Sequence, residues 1–217
     1  MQKSGFRTRS RLAQDVVVVL AVVAASFAGP LVGAVAVLLW AQLSRTPMRE
    51  LGFKAPPNWF RVLAFAVTLG IALRLTLKAL VMPLLGAPVG NATYQHLVGN
   101  TAALPEVVTA IVVAGAAEEL LYRGYVFERL RTLLGAGQPV LYTSIVVSAG
   151  VFAIAHYSDQ GHLGVVQSAI TGLVFATMFG WHGHIWTPII AHITFNLTSV
   201  ALIYGGWEEA VARALLR

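Results

Sequence analysis

Two adjacent carboxylates, Glu118 and Glu119, close the apolar run 107–117, and Arg123 follows four residues after the second of them. An ionised side chain near bilayer hydrocarbon is costly, about 2.5–3.5 kcal/mol for Asp at the centre of a spanning helix on insertion scales. On a helix Glu119 and Arg123 share a face and can pair. A chain that merely had to cross a membrane would not carry this group, so the first reading of such a cluster is a functional site. Few other polar residues lie in comparably apolar surroundings. His156 closes the run 140–155, while His192 and Asn196 lie inside 185–204. Their spacing of four puts imidazole and carboxamide one turn apart on one face. Singly, a terminal His is an interfacial residue and a spanning Asn is hydrogen-bonding glue between helices. Together, two Glu, two His and one Asn on three apolar segments point to one shared site.

Glu is a good general base when partial burial raises its pKa, and His can share or relay the proton. Such a pair activates water. A second His with an Asn can donate hydrogen bonds to the oxyanion formed when a carbonyl is attacked. The set therefore fits peptide hydrolysis inside a membrane. Glu118, His156 and His192 also have the chemistry to ligate Zn²⁺ with a position left open for water. Soluble zincins place both His on one helix in H-E-x-x-H, whereas here the groups are split over three segments. Spacing leaves metal-bound and metal-free hydrolysis both open. Serine chemistry fares poorly: Ser144, Ser148, Ser168 and Ser199 lie in the spans, none in a G-x-S-x-G-like elbow. His182 and His184 form an H-x-H in a Trp- and Gly-rich turn and read as interfacial structure.

The elements that must position these residues are membrane helices. Only 11% of the 217 residues are charged and mean hydropathy is +0.73, against about 25% charged in soluble domains. The expected fold is all-α, a polytopic transmembrane bundle of about six to eight short helices plus an amphipathic surface helix. We expect one integral-membrane domain over 1–217 with its catalytic core at about 104–200. With no cysteine, disulfides, thiolate nucleophiles and Cys-ligated metals are excluded. The net charge of +6 needs no nucleic-acid partner, because loop Lys and Arg that set topology account for it.

In chain order, Lys3, Arg7, Arg9 and Arg11 precede an apolar run at 16–43 that is too long for a cleaved signal's h-region. Gly29-Pro30 breaks this run into a kinked span or, as the basic flanks favour, a hairpin of two short helices. The stretch 49–57 is a Gly- and Pro-containing loop, and Trp59 and Phe60 anchor the next span, 62–85. Within it, Arg74 and Lys78 share a face. The simpler expectation is that both snorkel to the outer interface; the sharper one is that they line a polar space or meet an anionic substrate. Residues 86–105 form an uncharged loop, and 106–121 return through the membrane. The amphipathic stretch 127–131 suits a helix on the membrane surface. Apolar segments 140–155, 164–179 and 185–204 follow, and 207–217 form a short polar tail.

Glu118-Glu119 with Arg123-Gly124, then Phe152-x-x-x-His156, then His192-x-x-x-Asn196, resembles the three-motif pattern of the CAAX protease and bacteriocin-processing (CPBP, or Abi) intramembrane proteases. That family includes the eukaryotic Ras-converting CAAX endopeptidase. The resemblance spans roughly 104–200, with Trp186 to Pro188 and Leu51-Gly52-Phe53 also similar. It implies that Glu118 activates water, assisted by His156, and that Glu119 and Arg123 support the helix end and tune the base. It further implies that His192 and Asn196 stabilise the oxyanion or act as ligands. The family is usually described as metalloproteases, although a metal-independent glutamate mechanism has been argued. The implied partners are a peptide or protein substrate, possibly membrane-anchored, and the lipid bilayer. Eukaryotic members cut prenylated CAAX peptides; this short chain looks bacterial, with the cell (inner) membrane its expected location.

A protease requires Glu118, His156 and His192 within one water's reach of each other. The rival is a non-catalytic scaffold or bacteriocin self-immunity factor on the same fold, in which those side chains would point into separate closed environments. A proton-relaying transporter finds no support, since no inverted repeat stands out.

Overall fold

The computed structural model describes residues 18–21, 23–24, 28–90 and 92–215. The basic N-terminal cluster, and part of the run in which a hairpin is expected, lie outside them. Every described element is helical, and no strand occurs among the described residues. The break expected at Gly29-Pro30 is present: Gly29 has φ 133°, and Pro30 opens α1 (Pro30–Ser44). A 3-10 turn (Met48–Leu51) and a loop lead to α2 (Trp59–Thr76), whose first turn is capped by Asn58 accepting from the Arg61 N–H at 2.9 Å.

The helix begun as α2 does not stop at Thr76. It widens into a π-helical stretch, Leu77–Val81, before its last turn at Met82–Leu84. Pro83 has no N–H to donate to Ala79, and its ring crowds that carbonyl, so a local change of hydrogen-bond register is the expected response. The second such widening is functionally placed. Helix α3 (Leu104–Glu119) runs directly into a π stretch, Leu120–Phe127, and on into α4 (Glu128–Leu134). The surface helix expected at 127–131 is thus a continuation of the site helix. It is partly buried too, with Phe127 fully enclosed and the Arg129 guanidinium 4.7 Å from the Trp40 ring centre.

Helices α5 (Gln138–Ala155), α6 (Tyr157–His182) and α7 (Trp186–Tyr204) complete the bundle, and a short α8 (Glu208–Ala212) lies within the expected polar tail. Gly161, at φ 62°, breaks α6 after its first turn. Four helices, Trp59–Leu84, α5, α6 and α7, are long and apolar enough to cross a membrane. They pack mainly as two pairs, α2 with α7 and α5 with α6, and α3 lies against α1 and α7. Small residues permit both close pairings. A Cβ at Gly70 would sit 2.5 Å from the Ala191 carbonyl oxygen, and one at Gly172 would sit 3.2 Å from Ala149 Cα.

Arg74 and Lys78 correct the snorkelling expectation. Each is 8% exposed, because the face they share is the one packed inward. Lys78 Nζ donates to Glu208 Oε1 at 2.7 Å and to the Val89 carbonyl at 2.6 Å, which ties α8 to the π stretch.

Candidate functional site

Three helices and the π stretch that continues the first of them deliver the site. The end of α3 carries Glu118 and Glu119, the π stretch carries Arg123, the end of α5 carries His156, and α7 carries His192. Glu119 and Arg123 are completely shielded from solvent. Arg123 Nη1 donates to Glu119 Oε1 at 2.8 Å, and Nη2 donates to the Gly172 carbonyl at 3.1 Å. The same guanidinium lies 4.7 Å from the Phe152 ring centre and 5.7 Å from that of Phe175, a cation–π contact strengthened by the absence of water. Widening the helix here frees backbone carbonyls from their usual partners, and Ser148 Oγ donates to that of Tyr122 at 2.8 Å.

Glu119 also sets the second imidazole. His192 Nδ1 lies 2.8 Å from Glu119 Oε1. A carboxylate paired with Arg123 can only accept, so Nδ1 carries the proton and Nε2 faces the other way. Phe175 stacks on this ring with centroids 5.2 Å apart, and Phe152 meets it edge-on at 5.8 Å. His156 is oriented by the same logic: its Nδ1 donates to the Phe152 carbonyl at 2.8 Å. Both Nε2 atoms converge on one carboxylate oxygen. Glu118 Oε2 is 3.7 Å from His192 Nε2 and 4.0 Å from His156 Nε2. Those gaps suit a single water held by all three. The Glu118 and His156 side chains retain partial exposure, 16% and 19%, whereas Glu119 has none. Solvent therefore meets the site from the Glu118 side.

Asn196 is half-buried one turn beyond His192. His182 and His184 stay outside the cluster, with His182 Nδ1 2.8 Å from Thr187 Oγ1. Tetrahedral Zn²⁺ with bonds of about 2.0–2.1 Å would bring donor atoms to about 3.3 Å of each other. The Glu118-centred separations are wider, and no three His, Cys, Asp or Glu side chains among the described residues form a metal-holding group. As arranged, the donors do not fit Zn²⁺.

Sequence reasoning missed three supports. The Glu119–His192 bond needs α3 and α7 to touch, which they do at Gly115, where a Cβ would meet Ile193 at 3.1 Å. The Gly172 carbonyl and the Phe175 ring come from α6, which carries no motif residue. Gly115 and Gly172 were the available signals, since small residues in membrane helices mark close approach.

Residues 100–198, somewhat under half of the chain, match the family described as type II CAAX prenyl endopeptidase Rce1-like. No curated protein and no solved structure matches the chain. With four long apolar helices among the described residues, that match points to an integral membrane protein, and the family it resembles is one of endopeptidases. The match says what residues 100–198 are similar to.

Proposed function

We propose that the protein is an intramembrane endopeptidase that hydrolyses a peptide bond of a membrane-associated or C-terminal, CAAX-like peptide by means of an activated water. The observation that carries this reading is the convergence of both His Nε2 atoms on Glu118 Oε2, at 3.7 and 4.0 Å. Water bound there gives a proton to Glu118 as its oxygen attacks the scissile carbonyl. The Glu118 carboxyl then passes that proton to the departing amine. His156, held by the Phe152 carbonyl, shares the water and restrains its orientation. His192, fixed through Glu119 and Arg123, presents Nε2 to the reacting centre and donates to the oxyanion when protonated. Asn196, one turn on, is the second oxyanion donor. No step runs through a metal. The bilayer serves as a partner that delivers the substrate, and a bacterial cell membrane is the proposed location.

The test uses purified protein and a randomised peptide pool. Glu118→Gln keeps the shape and removes the base, so cleavage falls by about 10²–10⁴-fold, and His192→Ala also abolishes it. Cleavage should persist in chelator. Retained activity in Glu118→Gln overturns the assignment, and loss in chelator restores a metal.

A further inference from the structure

The two π stretches among the described residues differ in cause. Leu77–Val81 sits beside Pro83, which disturbs its own helix. No proline lies between Pro105 and Pro139, so Leu120–Phe127 has no such local cause. Widened turns are rare and concentrate at functional sites, and what holds this one comes from a neighbouring helix. Ser144 and Ser148 are both fully buried, one turn apart on α5. Ser144 Oγ donates to the Val140 carbonyl at 2.8 Å, four residues back in its own helix, a common bond for a helical serine. Ser148 Oγ instead crosses to the Tyr122 carbonyl, also at 2.8 Å, inside the π stretch.

The face of α5 that carries Ser148 also carries part of the site, with Phe152 one turn on and His156 one turn further. The Phe152 ring centre lies 5.2 Å from that of Tyr122 and 4.7 Å from the Arg123 guanidinium, and its carbonyl accepts from His156 Nδ1 at 2.8 Å. Beyond the widening, the chain is fixed separately. The Arg129 guanidinium lies 4.7 Å from the Trp40 ring centre, and the Phe127 ring is 5.1 Å from that of Phe179. One residue of register is about 100° of helix rotation. With α4 held, a return of 120–127 to α-helical register would swing Glu118 and Glu119 away from His156 and His192.

We propose that Ser148 is a positioning residue: its hydroxyl holds the π stretch and so keeps Glu118 Oε2 4.0 Å from His156 Nε2. This rests on the protease reading for the reaction it serves, but amide exchange reports on the stretch without turnover. The full chain in detergent is compared as wild type, Ser148→Ala, Ser148→Cys and Ser144→Ala. Hydrogen–deuterium exchange is followed over 120–127, and kcat and KM are measured on one peptide taken from the cleaved pool, well below each unfolding midpoint. Ser148→Ala should speed exchange across 120–127 and lower kcat by about 10–10²-fold at unchanged KM. Ser148→Cys, similar in size but a weak donor, should fall between it and wild type. Ser144→Ala should match wild type in both readouts. Unchanged exchange or undiminished kcat in Ser148→Ala, a loss carried by KM, or an equal loss in Ser144→Ala overturns the proposal. If Ser148→Ala fails to fold, Ser148→Cys against Ser144→Ala decides the matter. Faster exchange in Ser148→Ala alongside a wild type that cleaves nothing removes the protease reading and leaves the clamp; undiminished cleavage by Ser148→Ala does the reverse.

Discussion

Glu119 and Arg123 are worth most to the site through what they hold. Both are fully enclosed and joined at 2.8 Å, so removing one leaves an uncompensated charge, which costs about 3–5 kcal/mol, whereas replacing both with neutral groups of similar volume costs far less. Arg123→Met and Glu119→Gln should each sharply lower the thermal unfolding midpoint in detergent. The double variant should lie closer to wild type than the sum of the two losses. Additive losses would show that the pair is not coupled. The double variant should nonetheless be a poor catalyst, because His192 Nδ1 would lose its ionised acceptor. The Glu119–Arg123 pairing was legible because both partners lie on one helix at a spacing of four. Glu119's second partner was not, because His192 is 73 residues away and local periodicity carries no such information.

At the scale of elements, hydropathy located the helices well, since apolar runs bounded by Gly and Pro are local signals. It placed the first residue of α7 within one of that observed and missed residues 157–163 of α6, where Ser158, Asp159 and Gln160 precede the break at Gly161. The two π stretches were not foreseen. A 3.6-residue period hides a local widening, and only Pro83 gave a hint of one of them. Packing between helices yields a sharper test. At Gly70 an added Cβ meets backbone, the Ala191 carbonyl oxygen at 2.5 Å, which cannot rotate away. Gly150 on α5 has nothing within 4 Å of its would-be Cβ. Gly70→Ala should therefore force α2 and α7 apart, lowering stability and peptide cleavage together. Gly150→Ala should be neutral or stabilising by up to about 1 kcal/mol, the ordinary helix preference for Ala. Equal effects of the two substitutions on thermal unfolding would contradict this account of how the bundle closes.

Across the whole molecule, the ends of the bundle are tied by few polar contacts, and these decide how it responds to pH. One end is held by the Lys78–Glu208 pair. At the α6–α7 turn, Ile185 N–H donates to the Gly52 carbonyl at 2.9 Å, joining that turn to the loop before α2. His184 sits in the same turn, buried, with its Nδ1 unpartnered among the described residues. Burial pushes its imidazole below the ordinary value of 6.5, and the adjacent His182 pushes it further the same way. A base with a depressed folded pKa costs nothing while neutral. As pH falls through the ordinary imidazole range, the unfolded chain takes up a proton that the folded chain resists, so stability is lost on acidification. The thermal midpoint should therefore fall between pH 7 and pH 5, and His184→Gln, which keeps a polar side chain without the titration, should flatten that fall. An equally steep pH dependence of unfolding in His184→Gln would move the acid sensitivity of the fold to another group.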